Sequence, residues 1–244
     1  MLFQLIAFLA AAIAGGIGSI AGFGIGSILT PLVAGRLGTK PAVAAVSFPH
    51  LAGTLLRFWF IRKHVDRRVL LAFGISSAAG GLAGAWLQVW FKSAVLGYVL
   101  GALLVFAGVM GLTGLASRMR FGKGTGLVAG ALSGVFGGLV GNQGGIRSAA
   151  LMGFQLSKEA FVATATAIAL LVDVFRMPVY IASEWSELIG TWPLVLVASL
   201  GVLAGTIFGQ PLLRRIPERI FRALVSSIIL ALGIAMLLHP GGHD

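Results

Sequence analysis

Charge is scarce in this chain, and acid is scarcer still. Of 244 residues, 10% are charged, with 7 Asp and Glu against 18 Lys and Arg. A soluble domain carries about 25% charged residues, so the chain is not a soluble domain, and its loops are too short to hide one. Cysteine is absent, which excludes a disulfide framework and a thiolate metal site. The 4 histidines show no metal-ligand spacing; His64, His239 and His243 read as loop and tail residues. There is no GxxxxGK[ST] segment, no HExxH, no Ser/His/Asp set and no carboxylate pair within one apolar segment. These absences argue against direct use of ATP, against an enzyme and against a cofactor. A divalent-cation site is disfavoured too, because Asp173 is the only acid deep in an apolar segment.

What is abundant is apolar sequence. The chain is 58% hydrophobic, with a mean hydropathy of +1.00. Apolar segments at 2–34, 41–61, 69–91, 94–116, 125–154, 159–182, 188–210 and 220–238 recur along its length. About 20 apolar residues cross a bilayer as a helix, and a helix satisfies its own backbone in lipid. The expected fold is therefore an all-α membrane protein, a bundle of transmembrane helices whose partner is the lipid bilayer. The opening MLFQLIAFLAAAIAGG lacks the basic region of a signal peptide and is read as structural. The net charge of +11 does not call for nucleic acid, because the basic residues sit at segment ends, where they orient a membrane protein.

Two segments, 2–34 and 125–154, are long and are interrupted by glycines. Each opens one half of the chain, and the halves resemble each other. AGFGIGS at 21–27 answers VGNQGGI at 140–146, TKPAVAAVSFPHLAGTLLRF at 39–58 answers SKEAFVATATAIALLVDVFR at 157–176, and LAG recurs at 82–84 and 203–205. Arg57 and Arg176 align within one residue. Each half, 1–120 and 121–244, reads as a Gly-broken helical hairpin followed by three transmembrane helices.

Lys and Arg suggest how the halves sit. If all eight segments cross once, the two faces hold 8 and 7 basic residues. If each Gly-broken segment enters and returns on one side, loops 62–68, 118–123 and 211–222 fall with Lys158, and the split is 12 against 3 (Arg36, Lys40, Lys92). The positive-inside rule favours the second arrangement, with those loops cytoplasmic and the C-terminus outside. The halves are then inverted repeats, an architecture of secondary transporters that bind substrate at the repeat interface near the midplane.

A helix broken at mid-membrane is tolerated where it is buried or lines a cavity. Restarting after Gly26 at Ser27, and after Gly145 at Ile146, would aim two helix N-termini, with free N–H groups, at one anion. Asn142 and Gln143 add donors, and Arg147 falls in the first turn of the restarted helix. A cation there opposes the dipole unless an anion lies between them. Glycines such as Gly80, Gly81 and Gly84 read as helix packing; Gly22, Gly24, Gly26, Gly141, Gly144 and Gly145 read as site, with packing as the alternative. Asp173, nine residues and about 13 Å from its segment end, shares a helix face with Arg176; an ion pair and a substrate contact both fit. Pro49 should kink its helix, and His50 beside it fits a proton relay, an anion ligand or a hydrogen bond within the bundle. Arg57, about 6 Å from its span end, is expected to snorkel to the surface.

AGFGIGSILTPLV and GLVGNQGGIRSAALMGFQLSKEAFVATATA resemble the paired motifs of the TauE/SafE-type sulfite exporter family, and the resemblance covers nearly the whole chain. It implies an inner-membrane transporter of two homologous halves whose substrates are sulfite, sulfoacetate and related small sulfur anions. By motif position it places Gly22, Phe23, Gly24, Gly26, Gly141, Asn142, Gln143, Gly144 and Gly145 at the site; Ser27, His50, Arg147, Asp173 and Arg176 complete the candidate set from the residues themselves. SFPHLAGT, Ser47 to Thr54, departs from the Thr/Ser-rich stretch of many members. The function expected is secondary export of such an anion by alternating access, with a passive anion channel as the alternative. A homo-oligomer is compatible with the sequence.

Overall fold

The computed structural model describes residues 1–115, 123–209 and 215–240. Arg118, Arg120 and Arg214 of the expected cytoplasmic loops, and residues 241–244 of the tail, lie outside them. No strand occurs among the described residues; ten helices do. These are α1 (Leu2–Ala21), α2 (Ile25–Leu37), α3 (Thr39–Ile61), α4 (Arg67–Gln88), α5 (Ser93–Thr113), α6 (Lys123–Val140), α7 (Gly144–Met152), α8 (Lys158–Ser183), α9 (Trp185–Gly209) and α10 (Glu218–Leu238). Seven are long and apolar enough to cross a membrane. The long segments 2–34 and 125–154 each break into two helices, as their glycines suggest. The restarts come two residues earlier than expected, at Ile25 and Gly144, because Gly24 and Gln143 are the last non-helical residues and their carbonyls already accept from Ile28 and Arg147. The α3 helix runs through Pro49 without a break.

Contacts place the helix ends. The Arg36 guanidinium lies 4.7 Å over the Phe3 ring, so α2 ends where α1 begins. Beside them, Thr39 Oγ1 donates to Pro240 O at 3.0 Å, and the Lys40 backbone N–H donates to Ser93 Oγ at 3.2 Å. Lys40 Nζ reaches Val89 O at 2.9 Å and Glu184 Oε1 at 3.6 Å. Burial pushes the Glu184 carboxyl above its usual range, against the pull of Lys40. At the opposite end, Asp66 caps α4 through Arg68 and Val69, and its own N–H donates to Thr164 Oγ1 in α8 at 2.9 Å. The packing pairs are α4 with α6, α1 with α9, α5 with α10, and α3 with both α8 and α9.

The interior of the bundle is small-residue packing. On α1, Ala7, Ala11 and Ala14 face inward, while Leu2, Leu5, Leu9 and Ile13 face out. Lipid is as apolar as leucine, so helices associate by close backbone approach. A Cβ at Gly80 would strike Ala131 O, one at Gly84 would strike Val135 O, and one at Gly138 would strike Gly81 O. The same holds across α1 and α9, where Gly201 and Gly205 meet Phe8 O and Ala12 O. Gly80, Gly81 and Gly84 are thus packing residues.

Gly138→Val should lower stability by at least about 1–3 kcal/mol, the usual cost of overpacking, because the obstacle is backbone that cannot swing aside. Gly35→Ala, where an added Cβ meets nothing within 4 Å, should leave it unchanged. Thermal unfolding in detergent checks both; equal midpoints for the two variants would contradict the contact.

Candidate functional site

The two helix breaks are built alike. The α1 helix closes on Gly22 at φ 78, whose N–H returns to Gly18 O, and Gly24 follows at φ 127. The α6 helix ends before Gly141 at φ 70, whose N–H returns to Gly137 O. Such φ values suit glycine and strain other residues. Neither α2 nor α7 has a side-chain cap, so their first-turn N–H groups point into the bundle without a side-chain acceptor.

The tips touch each other directly. A Cβ at Gly26 would sit 2.5 Å from Gly141 O, and one at Gly144 would sit 2.5 Å from Phe23 Cβ. Ser27 Oγ donates to Asn142 Oδ1 at 3.2 Å, and Arg147 Nη2 donates to Gly22 O at 3.2 Å. Arg147 thus leans out of its own half onto the tip of the other.

Beside the tips, α3 and α8 bring His50, Asp173 and Arg176 together. Asp173 Oδ2 lies 2.6 Å from His50 Nδ1, and Asp173 Oδ1 accepts from Arg176 Nε at 2.9 Å and pairs with Nη2 at 2.7 Å. Arg176 Nη1 donates to Gly137 O at 2.5 Å, and Tyr180 donates its hydroxyl to Gly138 O. A cation is favourable at a helix C-terminus, so Arg176 both pairs with Asp173 and fastens the end of α6. Of the two readings of Asp173 and Arg176, the contacts support the ion pair.

Arg57 does not snorkel. It is 4% exposed, and its Nε donates to Thr166 Oγ1 at 2.9 Å. The cause is Gly18, whose absent side chain admits the guanidinium: a Cβ there would lie 2.8 Å from Arg57 Nη1. Sequence reasoning also passed over Thr30, Thr54 and Thr166, each at most 1% exposed. For Arg57 a signal existed in its alignment with Arg176; the threonines gave none.

The electrostatic balance is uneven. Arg57, Arg147 and Arg176 are buried, yet among the described residues the only buried acids are Asp173 and Glu184, the latter at the bundle end with Lys40. Arg147 is 1% exposed with Nε and Nη1 unpartnered; both amide atoms of Gln143, and the hydroxyls of Thr30 and Thr54, are likewise unpartnered. Burying an unpaired charge costs several kcal/mol. No group of three metal-ligating residues occurs among the described residues.

A cavity of about 260 Å³ adjoins the tips, walled by the end of α1 and by α5, α7, α8 and α10, with Phe23 and Gly145 in its lining. The exposed Lys158 and Arg222 also line it. Asn142, Gln143 and Gly145 border a smaller void of about 10 Å³. The remaining candidates, Gly22, Gly24, Gly26, Ser27, His50, Gly141, Gly144, Arg147, Asp173 and Arg176, do not line the larger cavity.

The fold and the site define a multi-pass helical membrane protein in which two broken helices meet beside buried cations. The sulfite exporter TauE/SafE family model matches residues 7–236, and the chain belongs to that family. Comparison with curated proteins and with solved structures returns no match.

Asp173→Asn should destabilise the protein by about 3–5 kcal/mol, because it strands Arg176 as a buried charge. His50→Ala removes one contact of Asp173 and should cost less. Unfolding midpoints in detergent give the order; a smaller loss for Asp173→Asn would contradict the pairing.

Proposed function

We propose that the chain is a secondary transporter that exports a small sulfur oxyanion, sulfite or an organosulfonate such as sulfoacetate, across the inner membrane by alternating access. The observation that carries the reading is the excess of buried guanidinium over buried carboxylate at the hairpin tips. A negatively charged ligand between Arg147 and the first turns of α2 and α7 would answer both the unpartnered nitrogens and the helix dipoles. The family is one of sulfite exporters, which supports a sulfur anion as substrate and transport as the activity.

Halves 1–120 and 121–244 act as inverted repeats in this reading. The matched packing of α4 on α6 and α1 on α9 supports it. So does the contact of Lys40 with Glu184, which eight single crossings would put on opposite faces. With the basic loops cytoplasmic, the cavity beside Lys158 and Arg222 is the cytoplasmic approach, and the Lys40 and Glu184 cluster closes the outer end. Proton coupling through His50 or Asp173 belongs to the same reading; flux indifferent to a pH gradient would remove it.

Counterflow of labelled sulfite in proteoliposomes tests the proposal. Saturable exchange, reduced at least tenfold by Arg147→Ala, is the expected result. Non-saturable flux without counterflow would indicate a passive channel, and silence towards sulfite and a panel of organosulfonates would overturn the assignment.

A further inference from the structure

We propose that Arg57 is the second guanidinium of the anion site, and that the site is charge-matched to a dianion. The inference rests on the anion reading above and deepens it. Positions 22 and 141, 25 and 144, and 57 and 176 are each 119 apart. They are the two helix breaks, the two restarts and two buried arginines. The arginines occupy equivalent places: Arg57 packs on Gly18 in the last turn of α1, and Arg176 donates to Gly137 in the last turn of α6.

The halves differ in one charge at the neighbouring position. Three residues before Arg176 stands Asp173, which takes two of its nitrogens. Three residues before Arg57 stands Thr54, fully buried with its hydroxyl unpartnered. Among the described residues no carboxylate forms an ion pair with Arg57; its hydrogen-bond partner is the neutral hydroxyl of Thr166. Arg147 is equally without an acid, and its counterpart 119 residues earlier is Ile28. Subtracting the Asp173–Arg176 pair leaves two guanidinium charges, and among the described residues no further buried carboxylate pairs with them. Intramembrane charges are paired or serve a ligand, and the ligand that balances two guanidiniums carries two negative charges. A compact inorganic oxyanion and a short organic anion with two charged groups both supply them.

The test uses the purified full chain in detergent and follows its unfolding midpoint at constant ionic strength. Thiosulfate represents the inorganic dianion, sulfoacetate the organic one, and methanesulfonate the monoanion. One or both dianions should raise the midpoint at concentrations at least tenfold below methanesulfonate, and whichever acts names the source. Arg57→Gln should abolish the rise. Thr54→Asp, which gives Arg57 the carboxylate that Arg176 already has, should raise the ligand-free midpoint and cancel the response to dianions. Methanesulfonate acting as well as the dianions would overturn the charge match without needing any variant to fold. A full response in Arg57→Gln, with loss in Arg147→Ala alone, would overturn the role of Arg57 and leave the hairpin-tip site standing. No response of the wild-type chain to any anion would overturn both.

Discussion

A guanidinium held inside a membrane bundle has no water to answer it, so its charge must be met by protein or by a ligand. Much of this structure is arranged around that constraint. Arg176 is met on both sides, by the Asp173 carboxylate and by the carbonyl end of α6. Arg147 is met on one nitrogen by Gly22 O. Arg57 is met by a neutral threonine. Arg147 and Arg57 thus lack the carboxylate that Arg176 has, and both lie against the end of α1, where the chain must break.

The breaks and the arginines depend on each other. A positive φ at Gly22, Gly24 and Gly141 turns the chain before it has crossed, and this leaves helix starts, with their donor-rich first turns, inside the bundle. Those starts would be costly if they faced lipid. They lie instead against one another, with Gly26 and Gly144 giving the room for backbone and Phe23 to meet. The long helices hold the tips there by the same means: glycines on α4, α6 and α9 let neighbouring backbones touch, while the large side chains turn outward.

At the two ends of the bundle the chemistry differs. Lys40 draws together the starts of α3 and α5, the end of α4 and the turn before α9. Beside it, Thr39 ties in the chain end after α10. Towards the other end, the cavity that adjoins the tips carries exposed Lys158 and Arg222 in its lining. The Lys40 cluster and the cavity thus lie towards opposite ends of the bundle, and the tips adjoin the cavity.

The class of this protein was legible in composition and period. Apolar runs, short loops and missing acids have no other physical solution than a helical membrane bundle, and glycine clusters mark where helices break because glycine alone takes those backbone angles without strain. The pairing of Asp173 with Arg176 was legible as well, because three residues along a helix keep two side chains on one face. Contacts across the bundle were not. That Arg57 turns inward rather than to the surface, that His50 meets a carboxylate 123 positions away, and that Arg147 reaches the opposite tip are decided by how helices distant in sequence come together. A side chain's reach is a local property, but its partner is set by the helices that happen to stand beside it, and only the tertiary structure places those.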